Sequence, residues 1–159
     1  MNDSDFIERY GGIYEHSPWV AERARRWLED DASLESIATC MADCVDNASP
    51  EQQLALIRAH PDLAGRAQIA GELTPASTSE QASAGLDRCS EAEYTRFQDL
   101  NERYTTKFGF PFVMAVRDRS RVEILDAFEQ RLDNDYETEF ETALVEIHRI
   151  ARLRLEMLA

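Results

Sequence analysis

The sequence predicts an all-α protein: a single-domain helical bundle over residues 1–159, with one short extended segment near residues 110–116. Serine residues that can cap helices recur along the chain, and two of them precede a proline at the first helical position. Apolar residues recur at the helical period of 3.6. A chain of 159 residues also suits one domain with one core.

Three helices are predicted in the first part of the chain. Residues 17–28 begin with Ser-Pro, and residues 33–45 begin with a serine and carry a periodic apolar face. Residues 49–60 begin with the sequence Ser-Pro-Glu-Gln, which caps a third helix. This helix should stop at His60, because a residue before a proline is pushed out of the α region.

Further helix signals follow. The S-x-x-E spacing of a capping box occurs at residues 77–80 and again at residues 90–93, and the second box opens a helix that reaches Gly109. Helices are predicted over Arg121–Leu132 and Tyr136–Leu158, the latter with one broad apolar stripe. Residues 61–78, which contain glycine, proline and three hydroxyl side chains, are predicted to be a functional connector.

Composition excludes several classes of protein. The net charge of −14 argues against a nucleic-acid phosphate backbone as partner. The apolar run at residues 111–116 is too short to cross a bilayer, and the first residues are acidic where a signal peptide would be basic. The last residues lack a Ser-Lys-Leu peroxisomal address. The sequence therefore predicts a cytoplasmic protein that binds neither nucleic acid nor membrane.

No metal site is predicted. Cys40, Cys44 and Cys89 are odd in number and match no zinc or redox spacing. Cys40 and Cys44 lie one helical turn apart, which is typical of small buried side chains. His16 and His148 have no partner at ligand spacing.

Two residues are candidates for acid–base chemistry. His60 lies at a predicted helix end, where the helix dipole favours a protonated imidazole. Its alternative interpretation is a surface or hydrogen-bonded core histidine. Glu80 lies at a predicted helix start, and the capping box alone would explain it.

Two further features also have a structural alternative. The apolar stretch at residues 110–116 could belong to the core, although an extended chain there would leave backbone N–H and C=O groups unpaired. Arg154 could be solvated. Because it interrupts an apolar stripe, however, a buried anionic or carbonyl partner is expected.

The order of several motifs resembles the 2-oxo-4-hydroxy-4-carboxy-5-ureidoimidazoline (OHCU) decarboxylases of urate breakdown. The similarity runs from about residue 6 to the C-terminus, with no departure at the matched positions. The motifs are His-Pro-Asp-Leu-Ala-Gly-Arg at 60–66, Gly-Glu-Leu-Thr at 71–74, Ser-Thr-Ser-Glu-Gln at 77–81, Ala-Gly-Leu at 84–86, Phe97, Leu100-Asn101, Tyr104, Lys-Phe-Gly-Phe-Pro-Phe at 107–112, Arg131-Leu132 and Ile-Ala-Arg-Leu-Arg-Leu at 150–155.

The resemblance implies a decarboxylase without metal or organic cofactor. It implies His60 as the proton donor and Glu80 as its partner or as the group that polarises the substrate hydroxyl. It further implies that residues 112–116 line the substrate site and that Arg154 anchors the substrate's charge or carbonyls. The residues implied for substrate binding are Pro61, Ser77, Thr78, Ser79, Glu80, Gln81, Phe112, Val113, Met114, Ala115, Val116 and Arg154.

The sequence leaves some alternatives open. A non-catalytic helical interaction module could use the acidic surface and the aromatic 108–112 stretch, and a helical lyase or hydrolase could act on another ureido compound. The resemblance implies a homodimer as one arrangement. The face with Trp19 and Trp27 would then form its interface, or would be buried within the monomer. The order of proton transfers between His60 and Glu80 also stays open, because a coupled pair titrates as a unit.

Overall fold

The computed structural model describes residues 1–65, 68 and 70–159. Eight α-helices lie wholly within these residues, and no strand is formed by them, so the all-α prediction is confirmed. Gln68 and Ala70 are also helical, and Arg66 of the predicted motif lies outside the described residues. The helices are α1 (Asp3–Tyr10), α2 (Trp19–Arg25), α3 (Leu34–Asp46), α4 (Pro50–Arg58), α5 (Pro75–Ser83), α6 (Glu91–Phe108), α7 (Arg121–Leu132) and α8 (Tyr136–Leu158), with a 3₁₀ turn at Leu86–Arg88.

Helix starts follow the capping signals with two corrections. The boxes that begin at Ser49 and Ser90 are both formed, because each serine accepts the N3 backbone N–H and the N3 side chain bonds back. The predicted box at residues 77–80 is wrong. Helix α5 starts earlier, with Thr74 as its N-cap and Pro75 at the first helical position. The helix predicted over residues 17–28 is also shorter than expected, since α2 begins after Pro18 and ends at Arg25.

The chain divides into two compact units. One contains Met1–Ala59 together with Ile147–Ala159, and the other is His60–Glu146. A single domain over residues 1–159 stays a prediction. None of the described helices is long and apolar enough to cross a bilayer.

In the first unit, buried apolar residues of α2 and α3 form much of the core, among them Val20, Ala24, Met41 and Val45. Trp27 is 79% exposed, so its burial within the monomer is excluded. Cys40 and Cys44 are free and only partly buried, which corrects the expectation of buried side chains. Burial still raises the pKa of the Cys40 thiol to about 11.

The His60–Glu146 unit has an aromatic core centred on Tyr104 of α6. The ring of Tyr104 lies 4.5 Å from that of Phe108 and meets Phe112 edge-on at 5.4 Å. Phe112 in turn stacks on Phe128 of α7, with ring centroids 3.9 Å apart. Such pairs add about 0.5–1.5 kcal/mol each beyond the burial of their area. The core therefore fixes the irregular chain around Phe112 against α6 and α7.

Candidate active site

His60 lies just beyond the end of α4, as the sequence predicts. The helix ends at Arg58, Ala59 is its C-cap, and the proline at position 61 prevents His60 from continuing it. His60 is only 7% exposed. The predicted stop of the helix at His60 is therefore confirmed, and this histidine is buried rather than exposed to solvent.

The chain after Pro61 forms a short irregular stretch, residues 62–64, called here the 62–64 loop. Ala64 has a φ of +49°, a left-handed conformation that costs a non-glycine residue energy unless its surroundings hold it. Leu63 and Ala64 are buried, and an unpaired buried carbonyl or N–H group would cost about 1–3 kcal/mol. The backbone of this loop therefore needs hydrogen-bond partners from outside it.

Three side-chain amides supply these partners. Gln81 of α5 accepts a hydrogen bond from the Ala64 N–H (3.0 Å) and donates to the Asp62 carbonyl (3.1 Å). Gln98 of α6 donates to the Ala64 carbonyl (2.8 Å). Asn101, one turn further along α6, donates to the Leu63 carbonyl (2.9 Å). We refer to Gln81, Gln98 and Asn101 as the amide clamp.

The residues predicted on α5 divide between two faces. Ser77, Glu80 and Gln81 are buried, and their spacing of i, i+3 and i+4 places them on one side of the helix. Thr78 and Ser79 are exposed, and the Thr78 hydroxyl donates to the Thr74 carbonyl. Because Gln81 bonds to the 62–64 loop, the buried face of α5 lies against the chain that follows His60.

Glu80 is not a helix cap. It lies in the interior of α5 and is 8% exposed, so the capping explanation for this residue no longer holds. A carboxylate with so little exposure is unusual at a position without a structural or chemical role. The structure therefore strengthens the case for a role in a site.

Residues 112–116, called here the 112–116 segment, belong to no helix or strand. Phe112, Val113, Met114 and Val116 are buried, so their side chains form core, while Ala115 is partly exposed. The backbone is bonded by charged side chains. Arg131 of α7 donates to the Val113 carbonyl (2.7 Å), and Glu146 of α8 accepts the Ala115 N–H (3.3 Å).

Behind this segment lies a buried ionic network. The Glu139 carboxylate is fully buried and accepts hydrogen bonds from the Tyr104 hydroxyl (2.5 Å), Arg131 Nε (2.8 Å) and Asn134 (2.9 Å). The guanidinium of Arg131 lies 4.3 Å from the centroid of the Phe112 ring. Desolvation and the bond to Glu139 raise the pKa of Tyr104, so its hydroxyl remains protonated and can donate.

Arg154 belongs to the first unit and has the buried partners that its sequence position predicts. It is 6% exposed, and its Nη1 donates to Glu15 Oε1 (3.3 Å) and to the carbonyls of Gly12 (3.3 Å) and Ile13 (3.4 Å). The solvated alternative for this arginine is therefore excluded. Glu15, which the sequence analysis did not identify, is itself buried.

Sequence reasoning missed several residues around the predicted site. Asn101 interrupts an apolar helical stripe just as Arg154 does, and that signal would have found it. Asp62 lies two residues after His60, and burial raises the pKa of its carboxyl. Gln98 carries no comparable local signal, since it is partly exposed on a long polar helix.

A metal ion would be held by acidic, thiol or imidazole side chains. Among residues 1–65, 68 and 70–159, no three His, Cys, Asp or Glu side chains are grouped so that they could hold a metal ion. The absence of a cofactor rests on the family resemblance and stays a prediction.

Comparison with known proteins gives a consistent result. The family model described as OHCU decarboxylase matches residues 1–156. The 2-oxo-4-hydroxy-4-carboxy-5-ureidoimidazoline decarboxylase of Haloferax volcanii is 51% identical over 155 residues, which cover 98% of this chain and 89% of that protein.

Two solved structures have the same fold. A crystal structure of (S)-allantoin synthase superimposes with a TM-score of 0.79 at 32% identity, covering 99% of this chain and 51% of that one. A crystal structure of OHCU decarboxylase in the presence of (S)-allantoin gives a TM-score of 0.76 at 23% identity, covering 99% and 98%.

Proposed function

Since this chain belongs to the OHCU decarboxylase family, we propose that it converts OHCU to (S)-allantoin and carbon dioxide in urate breakdown. The membership confirms the family and the carboxy-lyase class that the sequence motifs predict. The observation that supports particular residues is that His60 and Glu80 are both buried. Gln81, next to Glu80 on α5, bonds to the 62–64 loop that follows His60.

The chemistry follows from the substrate. OHCU carries a carboxylate and a hydroxyl on one ring carbon, next to an imine carbon that bears the ureido group. When the bond to the carboxylate breaks, its electron pair forms a double bond to the imine carbon, and the imine nitrogen takes up a proton. The hydroxyl then loses its proton to become a carbonyl, and the neighbouring carbon gains a proton. The imine accepts the electrons, so the step needs no external electron sink.

The protein has three tasks in this scheme. It orients the carboxylate out of the ring plane, assists the hydroxyl as it becomes a carbonyl, and delivers a proton to one face of the neighbouring carbon. Orientation of bound groups lowers the barrier, and a positioned proton donor contributes a further ~100- to 10,000-fold. We assign the proton delivery to His60, with Glu80 as its partner or as the group that polarises the hydroxyl.

The remaining proposed contacts are with the ring and its charge. Pro61 would pack against the ring, Ser77 and Gln81 would hold it from the buried face of α5, and Arg154 would anchor the carboxylate or carbonyls. The 112–116 segment would offer backbone groups of Ala115 and its neighbours. Thr78 and Ser79 face solvent in α5 and are the weakest members of the proposed set.

A direct assay tests the activity. OHCU generated freshly by urate oxidase and hydroxyisourate hydrolase loses its ultraviolet absorbance slowly, and we expect this chain to accelerate the loss and to give one allantoin enantiomer by circular dichroism. No acceleration would overturn the activity and favour a binding module. Release of ammonia instead of carbon dioxide would indicate a hydrolase that acts on the ureido group.

Location and assembly complete the proposal. Three free cysteines fit a reducing compartment, which supports a cytoplasmic protein, and cell fractionation tests this. A homodimer also stays a prediction. The exposed Trp27 is available for an interface, and sedimentation with a Trp27→Ala control measures whether it is used.

A further inference from the structure

The amide clamp joins three parts of the His60–Glu146 unit. Gln81 extends from α5, and Gln98 and Asn101 extend from one face of α6, being three residues apart. All of them bond to the backbone of the 62–64 loop rather than to its side chains. The contacts that hold the loop therefore do not depend on its own side chains.

The clamp holds the 62–64 loop, which lies between the two proposed acid–base residues along the chain. Its loop begins two residues after His60, and only the rigid proline 61 separates the two. Gln81 is the neighbour of Glu80 on α5. Any movement of the loop away from α5 would break both bonds of Gln81, to the Asp62 carbonyl and to the Ala64 N–H.

The loop needs this restraint. Ala64 adopts a φ of +49°, and the Cβ of any larger residue at Gly65 would come within 2.6 Å of Asp62 Cβ. A backbone with such a turn persists only where its surroundings over-determine it. The clamp meets this condition with uncharged groups, which bond to a carbonyl or an N–H without adding a fixed charge beside a titratable pair.

We propose that Gln81, Gln98 and Asn101 are positioning residues for the decarboxylation. They fix the 62–64 loop between α5 and α6, and through it they hold the His60 imidazole in register with Glu80. This inference rests on the proposed function. For Gln81 it adds a second role to substrate contact, because both ends of its side-chain amide are bonded to the loop.

The test uses Gln98 and Asn101, which lie outside the proposed substrate contacts. Asn101→Leu and Gln98→Met remove the donors with little change in shape, and Gln98→Lys keeps a donor at a partly exposed position. Asn47→Leu is the matched control, because Asn47 also donates an amide hydrogen bond to a carbonyl (Asp43, 2.9 Å) but at the surface of the first unit.

Kinetics with OHCU should separate positioning from binding and from folding. We expect Asn101→Leu and Gln98→Met to lower kcat about three- to tenfold, with KM changed less than about twofold. Asn47→Leu should keep the wild-type kcat. Gln98→Lys keeps a donor but adds a positive charge, so its kcat should lie between those of Gln98→Met and the wild type. Once the racemic allantoin that forms without enzyme is subtracted, the allantoin formed by the two donor-less variants should be less enantiomerically pure, because a loosened donor reaches both faces. A lower folded fraction would leave this corrected purity unchanged.

Two results would overturn the inference. One is a rise in KM at constant kcat, and the other is a loss of thermal stability alone with kcat and enantiomeric purity intact. A wild-type chain without activity on OHCU would instead overturn the proposed function. In that event nitrogen-detected NMR of the His60 ring, which needs no substrate, still decides whether the clamp holds it. The signals should shift or broaden in Asn101→Leu and Gln98→Met, and unchanged signals would contradict the clamp.

Discussion

Two irregular stretches of the His60–Glu146 unit run among helices, and they satisfy their backbones differently. The 62–64 loop is bonded by the neutral side chains of the amide clamp. The 112–116 segment is bonded by Arg131 and Glu146, with the buried Glu139 behind Arg131. Both arrangements answer the same need, because buried N–H and C=O groups must be paired.

The difference follows from what each stretch adjoins. The loop lies beside His60 and Glu80, whose protonation states the proposed reaction depends on, and a carboxamide neither titrates nor adds a net charge there. The segment carries core side chains, and the charge of Arg131, which bonds to it, is balanced by Glu139. The loop next to the proposed acid–base residues is therefore held by side chains whose charge does not change with pH.

The largest effect is expected from replacement of His60, which lies beside the 62–64 loop. His60→Asn should retain helix content, because asparagine keeps a planar polar side chain beyond the end of α4, yet decarboxylation should fall about 100- to 10,000-fold. The product that forms should be close to racemic. Circular dichroism of the protein measures helix content, circular dichroism of the product measures its enantiomeric purity, and the ultraviolet assay measures the rate.

A matched variant controls for loss of a histidine. His16 is exposed and has a φ of +48°, which asparagine tolerates, so His16→Asn should leave activity intact. A His60→Asn protein that makes (S)-allantoin at the wild-type rate would falsify the proton-donor assignment and move the role to Glu80 or water.

The second effect concerns the stability of the protein around the 112–116 segment. Arg131→Met leaves the buried Glu139 carboxylate without its cation and should lower the free energy of unfolding by about 3–5 kcal/mol. Arg96→Met removes a similar pair with Glu129 at the surface, where both side chains are half-exposed, and should cost about 1 kcal/mol or less. Urea denaturation compares the two. Equal small losses would mean that the segment does not depend on its ionic network.

A third variant separates charge from hydrogen bonding at the acid–base pair. Glu80→Gln keeps the shape and one acceptor oxygen of the side chain, replaces the other oxygen with an amide donor and cannot carry a charge, and kcat should fall about 10- to 100-fold. Glu141→Gln, at an exposed position of α8, is the control and should have no effect. Near-wild-type turnover of Glu80→Gln would remove the carboxylate from the chemistry.

The smallest expected effect concerns Asp62, the titratable residue of the 62–64 loop. Burial raises the pKa of its carboxyl. Such a group binds more protons in the folded state, so its contribution to stability is fully present below the unfolded-state pKa and is lost as pH rises through the folded-state pKa. Asp62→Asn should therefore raise the melting temperature at pH 7, and the gain should disappear in acid. Asp126→Asn, which is exposed, should show neither change.

The fold was largely predictable because helix signals are local. Capping and periodicity predicted the bounds of α7 and α8 as observed, and the stop of α4 followed from Pro61. The start of α5 was wrong because two N-cap signals overlap, and proline at the first helical position prevailed over the S-x-x-E spacing. Helix α1 was missed, although Asn2 caps it and Asp3 and Asp5 lie in its first turn.

The site was predictable in its residues more than in its arrangement. With the correct start of α5, the spacing alone would have placed Ser77, Glu80 and Gln81 on one face. The position of Asn101 in an apolar stripe marked that residue, but the bonds of the amide clamp could not have been predicted, because they join side chains to backbone groups 17 to 38 residues away. Such contacts depend on tertiary packing and leave no local pattern.

The hydrogen bond between the Ala64 N–H and Gln81 also makes one backbone amide a reporter. This N–H is buried and bonds to a side chain instead of a helix ladder, so it exchanges with solvent only when Gln81 releases it. Its hydrogen–deuterium exchange rate therefore gives the free energy of opening for the loop beside His60, separately from the unfolding of α5 and α6. Bound allantoin would slow that one exchange if the loop closes on product.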